Sequence, residues 1–226
     1  MLVKICANKN INDAKMCIDA GADFLGILVG QKHVSTDFID KYTAKEMVNF
    51  SKRKIKTVLV THLINSDEII ELSQFIGNDV IQLHSNIDES EVEKIVKALP
   101  NIKLIRLIHI SQKGQICTNY KTMKYADYYL LDSFNLETNQ VGGTGLIHDW
   151  NIDRELIEKL SKPTFIAGGL TPKNVASAIK AAKPGGVDVN SGCKLNGIKN
   201  ERLVKEFVFN AKNVQLGWNG FRHWFF

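Results

Sequence analysis

Residues 2–29 are LVKICANKNINDAKMCIDAGADFLGILV, and this stretch contains a unit that recurs along the chain. Apolar residues occupy consecutive positions at both of its ends, Leu2–Cys6 and Phe24–Val29, whereas Asn12–Ala20 between them has helical spacing. Strands that are apolar on consecutive residues are typical of sheets covered on both faces. The unit therefore predicts two parallel strands joined by a helix.

The same pattern continues to the end of the chain. Eight apolar runs predict strands at Leu2–Cys6, Phe24–Val29, Ile55–Val60, Val80–Leu83, Ile102–Ile108, Tyr128–Leu131, Thr164–Ala167 and Gly186–Val189. Helical spacing predicts helices at Asn12–Ala20, Ile39–Ser51, Ser66–Ile76, Glu89–Ala98, Arg154–Leu160, Pro172–Ala181 and Glu201–Phe209. A helix is also expected within the less regular stretch Gln112–Tyr125.

Eight strand–helix units in about 210 residues predict a single-domain, closed (β/α)₈ barrel. The alternative is an open, doubly wound sheet, but its usual G-x-G-x-x-G is missing, because Cys6 is followed by Ala7, Asn8 and Lys9. We expect the barrel to span residues 1–213. An aromatic tail at 214–226 is expected to pack over a barrel end or a helix groove, or else to form a protein contact surface.

Composition excludes several classes of protein. The 226 residues are 44% hydrophobic, and 29 Lys and Arg against 24 Asp and Glu give a net charge of +5, so the chain is not of the disordered type. There is no run of five basic residues and no apolar run of ~20 residues, so neither a nucleic acid nor a membrane is expected as a partner. Four scattered cysteines without a C-x-x-C pair argue against zinc and favour a reducing cytoplasm.

Polar side chains end three of the predicted strands: Cys6 the first, His84 the fourth and Asp132 the sixth. The loops after the strands form the active face of a (β/α)₈ barrel, so these side chains are expected at one end of it. Each also has an ordinary structural alternative, as an inert thiol, a hydrogen-bonded histidine or a turn aspartate. Cys6 and Asp132 are candidate catalytic residues, and His84 is a candidate for substrate binding.

Glycines follow the last three predicted strands. They are Gly142, Gly143 and Gly145 after the sixth, Gly168 and Gly169 after the seventh, and Gly192, preceded by Ser191, after the eighth. Glycine lets backbone N–H groups approach an oxyanion closely, and the seventh and eighth loops of such barrels commonly hold a phosphate. We predict a phosphate site there, with simple turn glycines as the alternative.

The chain resembles the phosphoribosylanthranilate isomerase family from Leu2 to about Asn213. The motifs that carry the resemblance are KIC at 4–6, AGADFLG at 20–26, IQLH at 81–84, LLDS at 130–133, GGTG at 142–145 followed by His148-Asp149-Trp150, AGGLTPKNV at 167–175 and GVDVNSG at 186–192. The resemblance implies a barrel without cofactor that acts in tryptophan biosynthesis on N-(5-phosphoribosyl)anthranilate, a phosphorylated small molecule, as a monomer or homodimer.

The implied chemistry is an Amadori rearrangement with one base and one acid. In the family, the cysteine of K-I-C removes the C2 proton and the aspartate of L-L-D protonates the ring oxygen, which correspond to Cys6 and Asp132. A thiolate base requires a pKa below the usual ~8.5, and a carboxylic acid requires one above ~3.9. If strand alternation points Lys4 away from the neighbours of Cys6, Lys4 cannot supply the bias directly, and the sequence leaves the source of the pKa shift open.

Five positions depart from the family. Ala7 replaces a glycine, so a positive φ there would be strained. Lys32 corresponds to the arginine of S-P-R-Y-V-S that contacts the anthranilate carboxylate, and it keeps the charge without the bidentate fork. Asn190 replaces the usual Ser, and Cys193-Lys194 replaces the usual Val-Glu. A divergent paralogue that isomerises another phosphorylated sugar derivative, or a barrel that binds such a ligand without turnover, therefore stays open as an alternative.

Overall fold

The structure is a computed structural model that describes residues 1–31, 35–111, 114–135, 140–141 and 149–214. Its strands, in chain order, are β1 (Leu2–Ile5), β2 (Phe24–Leu28), β3 (Lys56–Thr61), β4 (Val80–Leu83), β5 (Lys103–Ser111), β6 (Tyr128–Asn135), β7 (Gln140–Val141), β8 (Thr164–Ile166), β9 (Gly186–Val189), β10 (Lys194–Leu195) and β11 (Ile198–Lys199). Eight of them, β1 to β6 with β8 and β9, correspond to the eight predicted strands.

These eight strands form a closed parallel barrel. β1 pairs with β2 on one side and with β9 on the other, and the ring is completed where β5 pairs with β6. Every pairing among the eight strands is parallel, whereas β7 pairs antiparallel with β6, and β10 with β11. The barrel prediction is confirmed, and the doubly wound alternative is wrong because an open sheet has no closing pair.

Among the described residues, seven α-helices surround the barrel. They are α1 (Ile11–Asp19), α2 (Lys41–Ser51), α3 (Ser66–Ile76), α4 (Glu89–Ala98), α5 (Trp150–Ile157), α6 (Val175–Ala182) and α7 (Glu201–Lys212). Asn or Asp side chains accept hydrogen bonds from the first turns of α1, α2, α3, α5 and α7. Such caps satisfy N–H groups that have no partner within the helix, and they fix where each helix begins.

The helix expected within Gln112–Tyr125 is wrong for residues 114–125, which contain only the single 3₁₀ turn Tyr120–Thr122. The preceding residues fold back along β5 instead. Ile116 bridges Ile110, and the N–H of Cys117 donates to the carbonyl of His109 at 2.8 Å. A chain that pairs antiparallel with the end of a strand cannot also begin a helix there, so β5 extends to Ser111.

Inside the barrel, aromatic side chains fill the end at which the strands begin. Phe24, Tyr128 and Phe165 contact one another edge to face, with ring centroids 5.5–5.9 Å apart. Gly186 provides the space, because a methyl group on it would lie 2.4 Å from the Phe165 ring. This end is a packed core, so polar chemistry in the interior is confined to the carboxyl ends of the strands.

The tail beyond Val214 lies outside the described residues, so its packing and the boundary at residue 213 stay predictions. Among the helices that the structure describes, none combines the length and apolarity needed to cross a membrane.

Candidate active site

Cys6 follows β1 directly and packs inside the barrel. It is 9% exposed, and its neighbour across β2 is Gly26. A methyl group on Gly26 would lie 3.0 Å from the Cys6 sulfur, so the glycine leaves the space that the thiol occupies. The contact between Gly26 and Cys6 therefore explains both the glycine that ends the AGADFLG motif and the space for the cysteine that ends the KIC motif.

Lys4 lies beside Cys6 in the barrel interior, so strand alternation does not separate the two side chains. Residues two apart on a strand face the same side, so Lys4 and Cys6 share the inner face. Lys4 is fully buried, and its Nζ donates to Asp188 Oδ2 on the neighbouring β9 at 2.7 Å. Burial disfavours its charge, but the Asp188 carboxylate and Cys6 hold the pKa of Lys4 above its ordinary value.

The electrostatic environment of Cys6 is divided. Burial raises the pKa of the Cys6 thiol above its ordinary value; the charge of Lys4 acts to lower it, that of Asp188 to raise it and that of Lys199 to lower it, but burial outweighs the two lysines, so the net shift is opposite to the one that a thiolate base requires. Lys199 belongs to the hairpin β10–β11, and its Nζ donates to the backbone carbonyl of Cys6. Sequence reasoning missed Lys199, because nothing local to residues 194–199 indicates that its side chain reaches β1.

The turn after β1 keeps a strained backbone at Ala7. Ala7 has φ +55°, in the left-handed region that costs a residue with a Cβ roughly 1–2 kcal/mol. Asn8 maintains this turn, because its Nδ2 donates to the carbonyls of Ile5 at 2.8 Å and Gly26 at 3.0 Å. The backbone on both sides of Cys6 is thus fixed by buried hydrogen bonds.

Asp132 lies on β6, three strands from Cys6 around the barrel through β9 and β8. It is 6% exposed, and its Oδ1 accepts from the N–H of Ser133 at 2.8 Å. The expectation that it ends its strand is wrong: β6 continues to Asn135, because its last residues pair with β7. Both candidate catalytic residues nevertheless belong to the carboxyl-terminal half of the barrel.

His84 joins an aromatic stack after the ends of the strands. Its ring lies parallel to that of His62 at 5.2 Å, and Phe38 meets His62 edge to face at 5.1 Å. His84 Nδ1 is 2.9 Å from Gln82 Nε2. The histidine is therefore both structurally held and placed at the expected end, so the role of His84 in substrate binding stays a prediction.

The glycine loops after β8 and β9 touch each other. Gly168 and Gly169 have φ of +87° and +62°, and a methyl group on Gly192 would lie 1.9 Å from the carbonyl oxygen of Leu170. The glycines thus bring two loops together and leave Ser191 exposed beside them. Gly143 and Gly145 lie outside the described residues, as does Lys32.

Two departures from the family meet at one carboxylate. Asp37, in the loop after β2, accepts from Asn190 Nδ2 at 2.8 Å and from Lys194 Nζ at 2.6 Å. Burial alone would raise the pKa of Asp37, but these two hydrogen bonds and the charges of Lys194 and Lys199 lower it. Asn190 and Lys194 therefore connect the loop after β9 to the loop that contains Lys32.

In the part of the chain that the structure describes, no group of three or more His, Cys, Asp or Glu residues is arranged to hold a metal ion.

The fold and the position of its polar groups define a (β/α)₈-barrel protein whose candidate site lies at the end of the barrel where enzymes of this fold work. A family model described as N-(5'-phosphoribosyl)anthranilate (PRA) isomerase matches residues 3–210. The chain belongs to this family, and the resemblance deduced from its motifs is confirmed.

Relatives cover nearly the whole chain. It is 42% identical over 214 residues to N-(5'-phosphoribosyl)anthranilate isomerase 2 of Methanosarcina mazei, a match covering 94% of this chain and 95% of that protein. It is 35% identical to the isomerase of Methanocella arvoryzae, with 91% and 95% covered. The solved isomerase of Pyrococcus furiosus is 28% identical and superimposes with a TM-score of 0.76, covering 95% of this chain and all of that one.

Proposed function

We propose that this protein is an N-(5'-phosphoribosyl)anthranilate isomerase of tryptophan biosynthesis, an aldose–ketose type isomerase that works without a cofactor. The observation that carries the proposal is a buried thiol, Cys6, directly after β1, together with a buried carboxyl group, Asp132, on β6, three strands away in one closed barrel. An Amadori rearrangement needs one base and one acid, and this arrangement supplies both.

In the proposed reaction, Asp132 gives a proton to the ring oxygen as the furanose opens to a Schiff base. The thiolate of Cys6 then takes the proton from C2, and the resulting enolamine tautomerises to the 1-deoxy ketose. Gly168, Gly169, Ser191 and Gly192, together with Gly143 and Gly145, would bind the phosphate through backbone N–H groups. Lys32 would contact the anthranilate carboxylate, and His84 would contribute to substrate binding.

The two catalytic assignments are tested by Cys6→Ser and Asp132→Asn. Each variant removes a proton-transfer group while keeping its shape, so we expect turnover to fall by ~10² to 10⁴ with the fold unchanged. Cys117→Ser, at an exposed cysteine, is the matched control. Turnover is followed directly, and by complementation of a tryptophan auxotroph that lacks the isomerase. Near-normal activity in either variant would remove the assigned mechanism.

The position of the carboxylate-binding cation is tested by Lys32→Met and Lys194→Met. We expect Lys32→Met to weaken kcat/KM by roughly 1–3 kcal/mol, as for a lost hydrogen bond to a charged group, and Lys32→Arg to preserve or improve it. If Lys194→Met has the large effect and Lys32→Met has none, the carboxylate is bound from the loop after β9. A folded parent without any activity would favour the paralogue acting on another phosphorylated sugar derivative.

We also propose that the enzyme works in the cytoplasm as a monomer or homodimer and binds neither nucleic acid nor membrane. The four cysteines are free thiols, three of them buried, which suits a reducing compartment. Light scattering of the purified protein distinguishes the two oligomeric states.

A further inference from the structure

A buried lysine approaches the site from outside the eight barrel strands. Lys199 is 5% exposed although it belongs to the short hairpin β10–β11, and the turn of that hairpin is exposed. Its Nζ donates a hydrogen bond to the backbone carbonyl of Cys6, the residue just before the strained Ala7. Burying an ammonium group is costly unless it is compensated, so the position of Lys199 requires an explanation.

The charges around Cys6 do not balance while the thiol is neutral. The groups that face one another here are three ammonium groups and two carboxylates, from Lys4, Lys194, Lys199, Asp37 and Asp188. Lys4 pairs with Asp188 at 2.7 Å and Lys194 with Asp37 at 2.6 Å, which leaves Lys199 as the third ammonium group of the cluster. Burial lowers the pKa of Lys199, whereas the neighbouring thiols Cys17 and Cys6 act to raise it, so its charge is the one that a nearby thiolate would stabilise. A thiolate at Cys6 would bring this cluster to neutrality.

Two other thiols near Lys199 cannot serve as its counter-charge. Burial raises the pKa of both Cys17, on α1, and Cys193, before β10, to about 12. The Cys17 sulfur also contacts Asn8 Oδ1 at 3.3 Å, and the Cys193 sulfur contacts the carbonyl of Leu203 at 3.7 Å, so each is used as a neutral donor.

We propose that Lys199 is a positioning residue for the base: its ammonium group holds the backbone of Cys6 at the mouth of the barrel and supplies the charge against which the Cys6 thiolate forms. The role of the thiolate as a base rests on the proposed function, whereas its formation does not. An experiment can therefore reject the formation of the thiolate without rejecting the isomerase function, or the reverse.

The experiment measures the pH dependence of Cys6 alkylation by iodoacetamide, with the Cys6 peptide quantified by mass spectrometry. Lys199→Gln keeps a donor for the Cys6 carbonyl and removes the charge, whereas Lys199→Arg keeps both. We expect the midpoint to rise by about one pH unit or more in Lys199→Gln, a tenfold loss of thiolate below it, and to stay near that of the parent in Lys199→Arg. Lys205→Met, at an exposed lysine that pairs with Glu201 on α7, is the control and should leave the midpoint unchanged.

In active protein, the acid limb of the kcat/KM profile should move with the alkylation midpoint, while KM changes little. A folded Lys199→Gln variant with the midpoint of the parent overturns the proposal, because a merely structural lysine would leave the titration of Cys6 in place. If the variants do not fold, the alkylation of Cys6 in the parent protein is the test. A Cys6 that forms no thiolate up to pH 10 also overturns the proposal. A shifted midpoint in a protein without isomerase activity upholds the inference and rejects the proposed function.

Discussion

Gly192→Ala should separate the two loops that we assign to phosphate binding. The added methyl group would lie 1.9 Å from the carbonyl oxygen of Leu170, whereas a carbon and an oxygen in contact need about 3.3 Å. The loops must therefore part by roughly 1.4 Å, and backbone atoms on both sides have to move. Overpacking of this kind costs roughly 1–3 kcal/mol of stability.

The same displacement should weaken phosphate binding. A hydrogen bond to a charged group contributes roughly 1.5–3 kcal/mol, so the loss of one N–H contact corresponds to about a 10- to 100-fold rise in KM and in the inhibition constant of inorganic phosphate. Urea unfolding measures the stability, and steady-state kinetics with phosphate as inhibitor measures the binding.

Gly185→Ala is the matched control, just before the opposite end of β9. Its methyl group would lie 3.2 Å from the backbone nitrogen of Thr164, so a slight adjustment suffices and KM should not change. If Gly192→Ala binds phosphate and unfolds as the parent does, the loops do not form the phosphate site in this arrangement.

Two further predictions concern stability. Ala7→Gly should stabilise the fold by about 0.5–1 kcal/mol, because relief of the left-handed strain at φ +55° exceeds the added entropy of the unfolded chain; an unchanged or lower urea midpoint contradicts this. Burial lowers the pKa of His109 to about 4, so between pH 6.5 and 4 the unfolded chain binds the extra proton and stability falls as the pH falls. From pH 7 to 5 the parent should lose about 2 kcal/mol from this cause and His109→Gln should not; equal losses in urea titrations of both proteins would refute the assignment.

Most of the fold was predictable because strands covered on both faces are apolar on consecutive residues, and this signal is local. Val80–Leu83, Gly186–Val189 and helix Ser66–Ile76 match their predicted bounds. The helix predicted within Gln112–Tyr125, after β5, was wrong for a different reason. Residues 114–117 are determined by pairing with the end of β5, which is a tertiary contact that helical spacing does not register.

For the candidate site, the sequence identified the residues at the strand ends but not what lies around them. Cys6 and Asp132 belong to family motifs, and the missing glycine marked Ala7 as a position where a positive φ would be strained, but only the structure shows that the φ is positive. The contacts of Lys199 with Cys6 and of Lys194 with Asp37 join segments more than 150 residues apart, as the sequence separations of 193 and 157 show. No local sequence pattern indicates contacts between residues so far apart in the chain. These partners could therefore be identified only from the structure of the closed barrel.

The pairing of β1, the first strand of the chain, with β9 near its end also constrains the order in which this protein can fold during synthesis. Lys4 and its partner Asp188 are 184 residues apart, which at a synthesis rate of 5–20 residues per second is a delay of roughly 10 to 40 seconds on the ribosome. During that time a nascent chain cannot bury Lys4 in an apolar interior without leaving its charge unpaired. Although β1 is synthesised first, it can therefore be buried in the barrel only late in folding. The surroundings of Cys6 assemble only after the final strand–helix unit has left the ribosome.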